Sequence, residues 1–80
     1  MTAIITQKVK EIMEYKLGLD HSQLLESASF VNDLGIDSLD VLELQMELEK
    51  EFNITIPPES AEKLFTVGAV IDYISLAVSP

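Results

Sequence analysis

The 80-residue sequence contains no cysteine and no arginine. Without cysteine there is no disulfide framework, no thiolate metal site and no thiol nucleophile. The sequence also lacks an apolar run of the roughly 18 residues that a membrane span requires. Its first residues carry neither a basic region followed by an apolar stretch nor the arginines of a transit peptide. We therefore expect no metal site, no membrane span and a cytoplasmic location.

Positive charge is scarce, because five lysines face 14 Asp and Glu residues, which leaves a net charge of −9. Such acidity disfavours binding to nucleic acids and anionic membranes, since both need basic patches. Nine of the fourteen acids lie between Asp33 and Glu62, together with one lysine, Lys50. This block predicts a docking surface for basic partners. Acidity that only aids solubility would give the same composition.

Apolar residues recur at helical spacing in several stretches, which predicts an all-α fold. The expected helices are Thr2 to about Leu17, Ser38 to about Phe52, a short one from Pro58 to about Lys63, and a last one capped by Thr66. A long first loop, Gly18 to Asp37, should be pinned to the core by its apolar residues. The predicted architecture is a small bundle of three main helices plus one short helix, in a single domain over residues 1–80.

The second helix has apolar residues on two faces, whereas a helix in a bundle this small normally leaves one face to solvent. Its core stripe is Val41, Leu44, Leu48 and Phe52. A second apolar stripe lies beside a row of acids, and we name the two together the docking face. The docking face consists of Leu39, Asp40, Leu42, Glu43, Met46 and Glu47. It predicts a partner with an apolar pocket ringed by basic side chains, unless the long loop covers it.

Ser38 opens the second helix behind Asp37, a good N-cap residue, with Asp40 in a partial capping box. Its hydroxyl should be exposed at a helix end that favours an attached phosphate. A catalytic serine needs a general base and oxyanion donors. The only histidine, His21, falls in the loop, so we expect no catalytic residue. Ser38 is instead a candidate for modification by another enzyme.

From Phe30 onward the sequence resembles the acyl carrier protein family. The segment FVNDLGIDSLD at positions 30–40 is similar to that family's modification motif, and the resemblance continues to Ile74. It implies that a separate phosphopantetheinyl transferase attaches 4'-phosphopantetheine from coenzyme A to Ser38, which then carries acyl groups as thioesters. It also implies that Asp37 helps the transferase to bind, and that the docking face meets acyl-chain-processing enzymes with basic patches.

The resemblance further implies a cavity between the helices that shelters the acyl chain. The candidate lining residues are Phe30, Val41, Leu44, Leu48, Leu64, Ala69 and Ile74. Two residues depart from the family pattern. Lys50 stands where many relatives carry an acid, and Gln45 is polar where an apolar residue is common.

Enzymes of fatty acid synthesis are the clients that we expect for a monomeric carrier. A dedicated carrier for a polyketide, amino acid or lipid-modification pathway is an alternative from the same mechanistic class. An unmodified acidic helical interaction module is an alternative from another class, and the chemistry of Ser38 distinguishes it from a carrier.

Overall fold

The computed structural model describes residues 2–78, and the side chains of residues 4–78. The helices are α1 (Thr2–Leu17), α2 (Ser38–Phe52), α3 (Pro58–Ala61) and α4 (Val67–Val78), with a 3₁₀ helix (His21–Gln23) in the first loop. Within residues 2–78 there is no β-strand, only an isolated antiparallel bridge between Ser29 and Thr66. The predicted all-α fold, with three main helices and one short helix, is confirmed.

The core lies around α1, which packs against both α2 and α4. Completely buried side chains recur three or four residues apart on each of these helices, as one face of a helix requires. They are Val9 and Met13 of α1, Leu44 and Leu48 of α2, and Val67, Val70 and Ile74 of α4. Burying each such side chain contributes about 1.5–3 kcal/mol. These contacts fix the three long helices relative to one another.

α3 ends at Ala61, two residues earlier than predicted. The backbone N–H groups of Lys63 and Leu64 donate to carbonyl oxygens three residues back, at 3.0 and 3.2 Å. This tighter turn replaces the α-helical pattern, and Leu64 reaches the core from it.

The first loop, residues 18–37, is attached to the start of α4 by its backbone. The N–H group of Val67 donates to the carbonyl oxygen of Ala28 at 3.1 Å, and that of Gly68 donates to Glu26 at 2.9 Å. The first N–H groups of a helix have no partner within the helix. The loop therefore supplies acceptors that α4 needs, and α4 in turn holds the loop in place.

Gly68 allows the loop to approach α4 this closely. A Cβ atom at this position would lie 2.9 Å from the carbonyl oxygen of Glu26, closer than such atoms come in proteins. Glycine inside a helix costs about 0.5–1 kcal/mol relative to alanine. The close contact between the backbones of Gly68 and Glu26 offsets this cost.

Thr66 caps α4 as predicted, because its hydroxyl oxygen accepts the backbone N–H of Ala69 at 3.1 Å. Replacing Thr66 by alanine should lower the free energy of unfolding by about 1 kcal/mol. For a domain of this size that corresponds to a fall in melting temperature of about 4–8 °C. Thermal unfolding followed by circular dichroism measures it. The Thr66→Ser variant keeps the hydroxyl and should retain most of the stability, so equal losses in both variants would contradict the capping role.

Candidate functional site

Ser38 is the first residue of α2, and its side chain is exposed. Asp37 occupies the N-cap position with φ −67° and ψ 148°, but its carboxylate makes no capping hydrogen bond. The predicted N-cap position of Asp37 is therefore confirmed, whereas the side-chain hydrogen bond of a cap, and with it the partial capping box, is absent. Both Asp37 and Ser38 are exposed, so water can satisfy the first N–H groups of α2. The positive end of the helix next to Ser38 is consequently not covered by the side chain of its cap residue.

Ser38 is exposed because the residues before it are held against the core by hydrogen bonds and packing. Gly35 has φ +64°, a left-handed conformation that glycine adopts at little cost. The N–H group of Ile36 then donates to the carbonyl oxygen of Phe30 at 2.8 Å, and the Ile36 side chain packs against the core. Phe30 is itself fixed, because its N–H donates to the carbonyl oxygen of Phe65 at 3.0 Å. Its side chain is almost fully buried.

The turn that precedes Gly35 is closed by its own polar groups. The N–H of Ser29 donates to Oδ2 of Asp33 at 2.7 Å, and the hydroxyl oxygen of Ser29 accepts the N–H of Asn32 at 3.2 Å. The carbonyl oxygen of Ser29 accepts the N–H groups of Asp33 and Leu34 at 2.9 and 3.0 Å. These hydrogen bonds fix the turn over residues 29–34 beside the start of α2.

A cavity of about 490 Å³ opens beside Ser38. It lies between the loop turn, α2 and the segment from α3 to α4. Its lining consists of Ser29, Phe30, Val31, Asn32, Ser38, Val41, Leu42, Gln45, Ala61, Glu62, Leu64 and Phe65. This volume is within the usual range of small-molecule sites. The lining is mainly apolar, and Glu62 is its one titratable residue.

The structure divides the predicted cavity residues into two groups. Phe30, Val41 and Leu64 line the cavity. Leu44, Leu48 and Ile74 are completely buried in the core, and Ala69 packs partly buried against it. A cavity role for these four residues stays a prediction that requires the helices to separate.

Several lining residues were not among those predicted to line the cavity, although Val41 was, and Gln45 was noted as a polar departure from the family pattern. On α2 the lining follows Ser38, Val41, Leu42 and Gln45, the i, i+3, i+4, i+7 series of one helix face. That series could have been found by starting from Ser38 rather than from the core stripe. Residues such as Val31, Ala61 and Phe65 come from distant segments, and no local pattern marks them.

The docking face is open to solvent. Its apolar side chains Leu39, Leu42 and Met46 are exposed by 58, 50 and 59%. Asp40 and Glu43 are exposed beside them, and Glu47 is half-buried. The long loop does not cover this face. Leu42 belongs to both surfaces, since it also lines the cavity.

In the part of the chain that the structure describes, no imidazole lies beside Ser38. The only histidine, His21, is paired elsewhere, with its Nδ1 atom 2.9 Å from Oε2 of Glu14. The cavity beside Ser38 offers the carboxylate of Glu62 and no imidazole. An exposed hydroxyl in this setting can accept a group that another enzyme transfers.

A family model described as "Phosphopantetheine attachment site" matches residues 7–74, most of the chain. The chain belongs to this phosphopantetheine-attachment family. Its cofactor is covalently attached 4'-phosphopantetheine, and the chain is a phosphopantetheine carrier domain. Such a domain interacts with the enzymes that modify it. The family agrees with the sequence resemblance to acyl carrier proteins.

The residues around Ser38 fit a phosphopantetheine group. The exposed hydroxyl offers an attachment point, and the uncovered end of α2 favours the negative charge of a phosphodiester. A mainly apolar cavity lies beside it. When attached, the group supplies a thiol that forms thioesters with acyl groups.

No helix within residues 2–78 is long and apolar enough to span a membrane.

The acidic side chains of this carrier domain are poorly compensated. Within residues 4–78 no lysine pairs with an acid, and the one ion pair joins His21 to Glu14. Repulsion among the carboxylates should destabilise the fold at low salt. We predict that the melting temperature rises when NaCl or MgCl₂ is added.

No group of three or more acidic or histidine side chains in the described part of the chain could hold a metal ion. We attribute the expected effect to screening of the repulsion among the carboxylates. NaCl and MgCl₂ matched in ionic strength should give similar gains. A melting temperature that ignores both salts would contradict the prediction.

Proposed function

We propose that this carrier domain serves fatty acid synthesis, with Ser38 as the attachment site and with no catalytic activity of its own. The observation that carries the proposal is the position of Ser38, which is exposed at the first residue of α2 and also borders the apolar cavity. An arm that begins at this residue can reach outward to an enzyme or fold back along the cavity wall.

The apolar lining of the cavity supports the proposal that this domain carries alkyl chains. Phe30, Val41 and Leu64 offer apolar surface close to Ser38. An alkyl chain gains about 0.8 kcal/mol for each CH₂ group that leaves water. A thioester drawn toward the cavity would be shielded from water and from nucleophiles, which suits a carrier that must not lose its cargo between enzymes.

Asp37 and the docking face support recognition by partner enzymes. The free carboxylate of Asp37 lies next to Ser38, where a transferase could use it to hold a metal ion or basic side chains. Exposed acids on α2 would attract a basic partner, and the exposed leucines and Met46 would then bind an apolar pocket. A monomeric state and a cytoplasmic location stay predictions. The family match disfavours an unmodified interaction module.

The attachment site is tested by incubating the chain with coenzyme A, Mg²⁺ and a phosphopantetheinyl transferase. Wild type should gain the mass of one phosphopantetheinyl group, and Ser38→Ala should gain none. Intact-protein mass spectrometry measures both. Ser27→Ala, which removes another exposed serine of the same chain, should be modified like wild type. A mass gain that survives Ser38→Ala would overturn the assignment.

The docking face is tested by reversing a charge on it. Glu43→Lys should slow modification by the transferase by roughly threefold or more at low ionic strength, because charge complementarity raises association rates. The matched variant Glu11→Lys changes an exposed acid on α1 that is not a residue of the docking face, and should have little effect. The difference should shrink as salt is added. Equal slowing by both variants would show that overall charge, rather than the docking face, determines the rate.

A further inference from the structure

Among the residues that the structure describes, Gln45 is the one polar residue that is buried, with 6% of its surface exposed. It lines the cavity beside Ser38, between apolar residues such as Val41 and Leu64. Its Nε2 atom is 3.4 Å from the carbonyl oxygen of Ala61 in α3. That distance is longer than a normal N–H···O bond. The amide is therefore weakly paired within the protein, and the small exposed part of the residue faces the cavity.

The position of Gln45 along α2 places its amide within the cavity rather than at the attachment point. Ser38, Val41 and Gln45 follow one face of the helix at spacings of three and four residues. The seven residues from Ser38 to Gln45 rise about 10 Å along the helix axis. An arm that starts at Ser38 and folds back along this wall brings its acyl group past the Val41 side chain to the amide.

A buried amide distinguishes between kinds of acyl chain. A saturated chain entering the cavity displaces water from the amide and returns no hydrogen bond, which is unfavourable. A chain with a hydroxyl or carbonyl oxygen can accept from Nε2, and a hydroxyl can also donate to Oε1. The oxygenated chain thus restores a bond that the saturated chain removes.

We propose that Gln45 makes this cavity selective for acyl chains that carry a hydroxyl or carbonyl group over saturated chains of the same length. This selectivity rests on the proposed attachment at Ser38, and it names the class of cargo that the same site prefers. Enzymes that consume the preferred cargo would act on oxygenated acyl thioesters.

The test compares thioester protection in the loaded wild-type protein. The chain is loaded with octanoyl groups that are unsubstituted or carry one hydroxyl group at carbon 3, 6, 7 or 8, which avoids the positions that cyclise to five- or six-membered lactones, and loading is checked by intact mass. The rate of cleavage by hydroxylamine is then measured relative to the same thioester on free pantetheine. We expect at least one oxygenated chain to be protected about tenfold better than octanoyl, which corresponds to one hydrogen bond restored.

Gln45→Met keeps the size of the side chain and removes its polar groups, so it should abolish this preference and protect octanoyl best. The matched variant Gln7→Met makes the same chemical change on the exposed surface of α1 and should behave like wild type. Equal or better protection of octanoyl in wild type would overturn the proposal, and this comparison does not depend on any variant folding. Failure to load Ser38 at all is seen at the mass step, and it would instead refute the proposed attachment together with this inference.

Discussion

The backbone contact between the first loop and the start of α4 is the constraint on which the carrier site depends. The N–H groups of Val67 and Gly68 need acceptors outside their helix, and the loop carbonyls of Ala28 and Glu26 provide them. Gly68 makes the distance possible, since any side chain there would collide with the loop. The first loop is thereby joined to the buried start of α4.

The position of the site follows from this attachment. The loop enters α2 after Ile36, whose N–H bonds to Phe30 and whose side chain faces the core. Ser38 is left exposed beside the gap between the loop and α2, which is the cavity. α2 then has three surfaces with different tasks. The core stripe packs within the bundle, the docking face is the surface that we propose for partners, and the stripe from Ser38 to Gln45 lines the cavity. Leu42 borders two of these surfaces, so a partner that binds it also touches the cavity entrance.

Local features of the fold could be predicted from the sequence, whereas contacts between distant segments could not. The span of α2, the cap at Thr66 and the exposed docking face follow from periodicity and capping preferences, which act over a few residues. The missing side-chain cap of Asp37 shows the limit of such preferences where water can replace the hydrogen bond. The cavity walls at Val31 and Phe65 arise from segments more than 30 residues apart in the chain. Gln45 could be recognised as unusual from the sequence, but its burial and its weak bond to Ala61 required the fold.

Amide hydrogen exchange followed by NMR tests the role of the loop most directly. If the loop is held as described, the amides of Ile36, Val67 and Gly68 open only when much of the domain unfolds, and they should exchange about as slowly as the core amide of Leu48. Exchange of these three amides at the rate of an exposed loop amide would show that the loop is not fixed to α4. In that case the orientation of Ser38 and the cavity beside it would need another explanation.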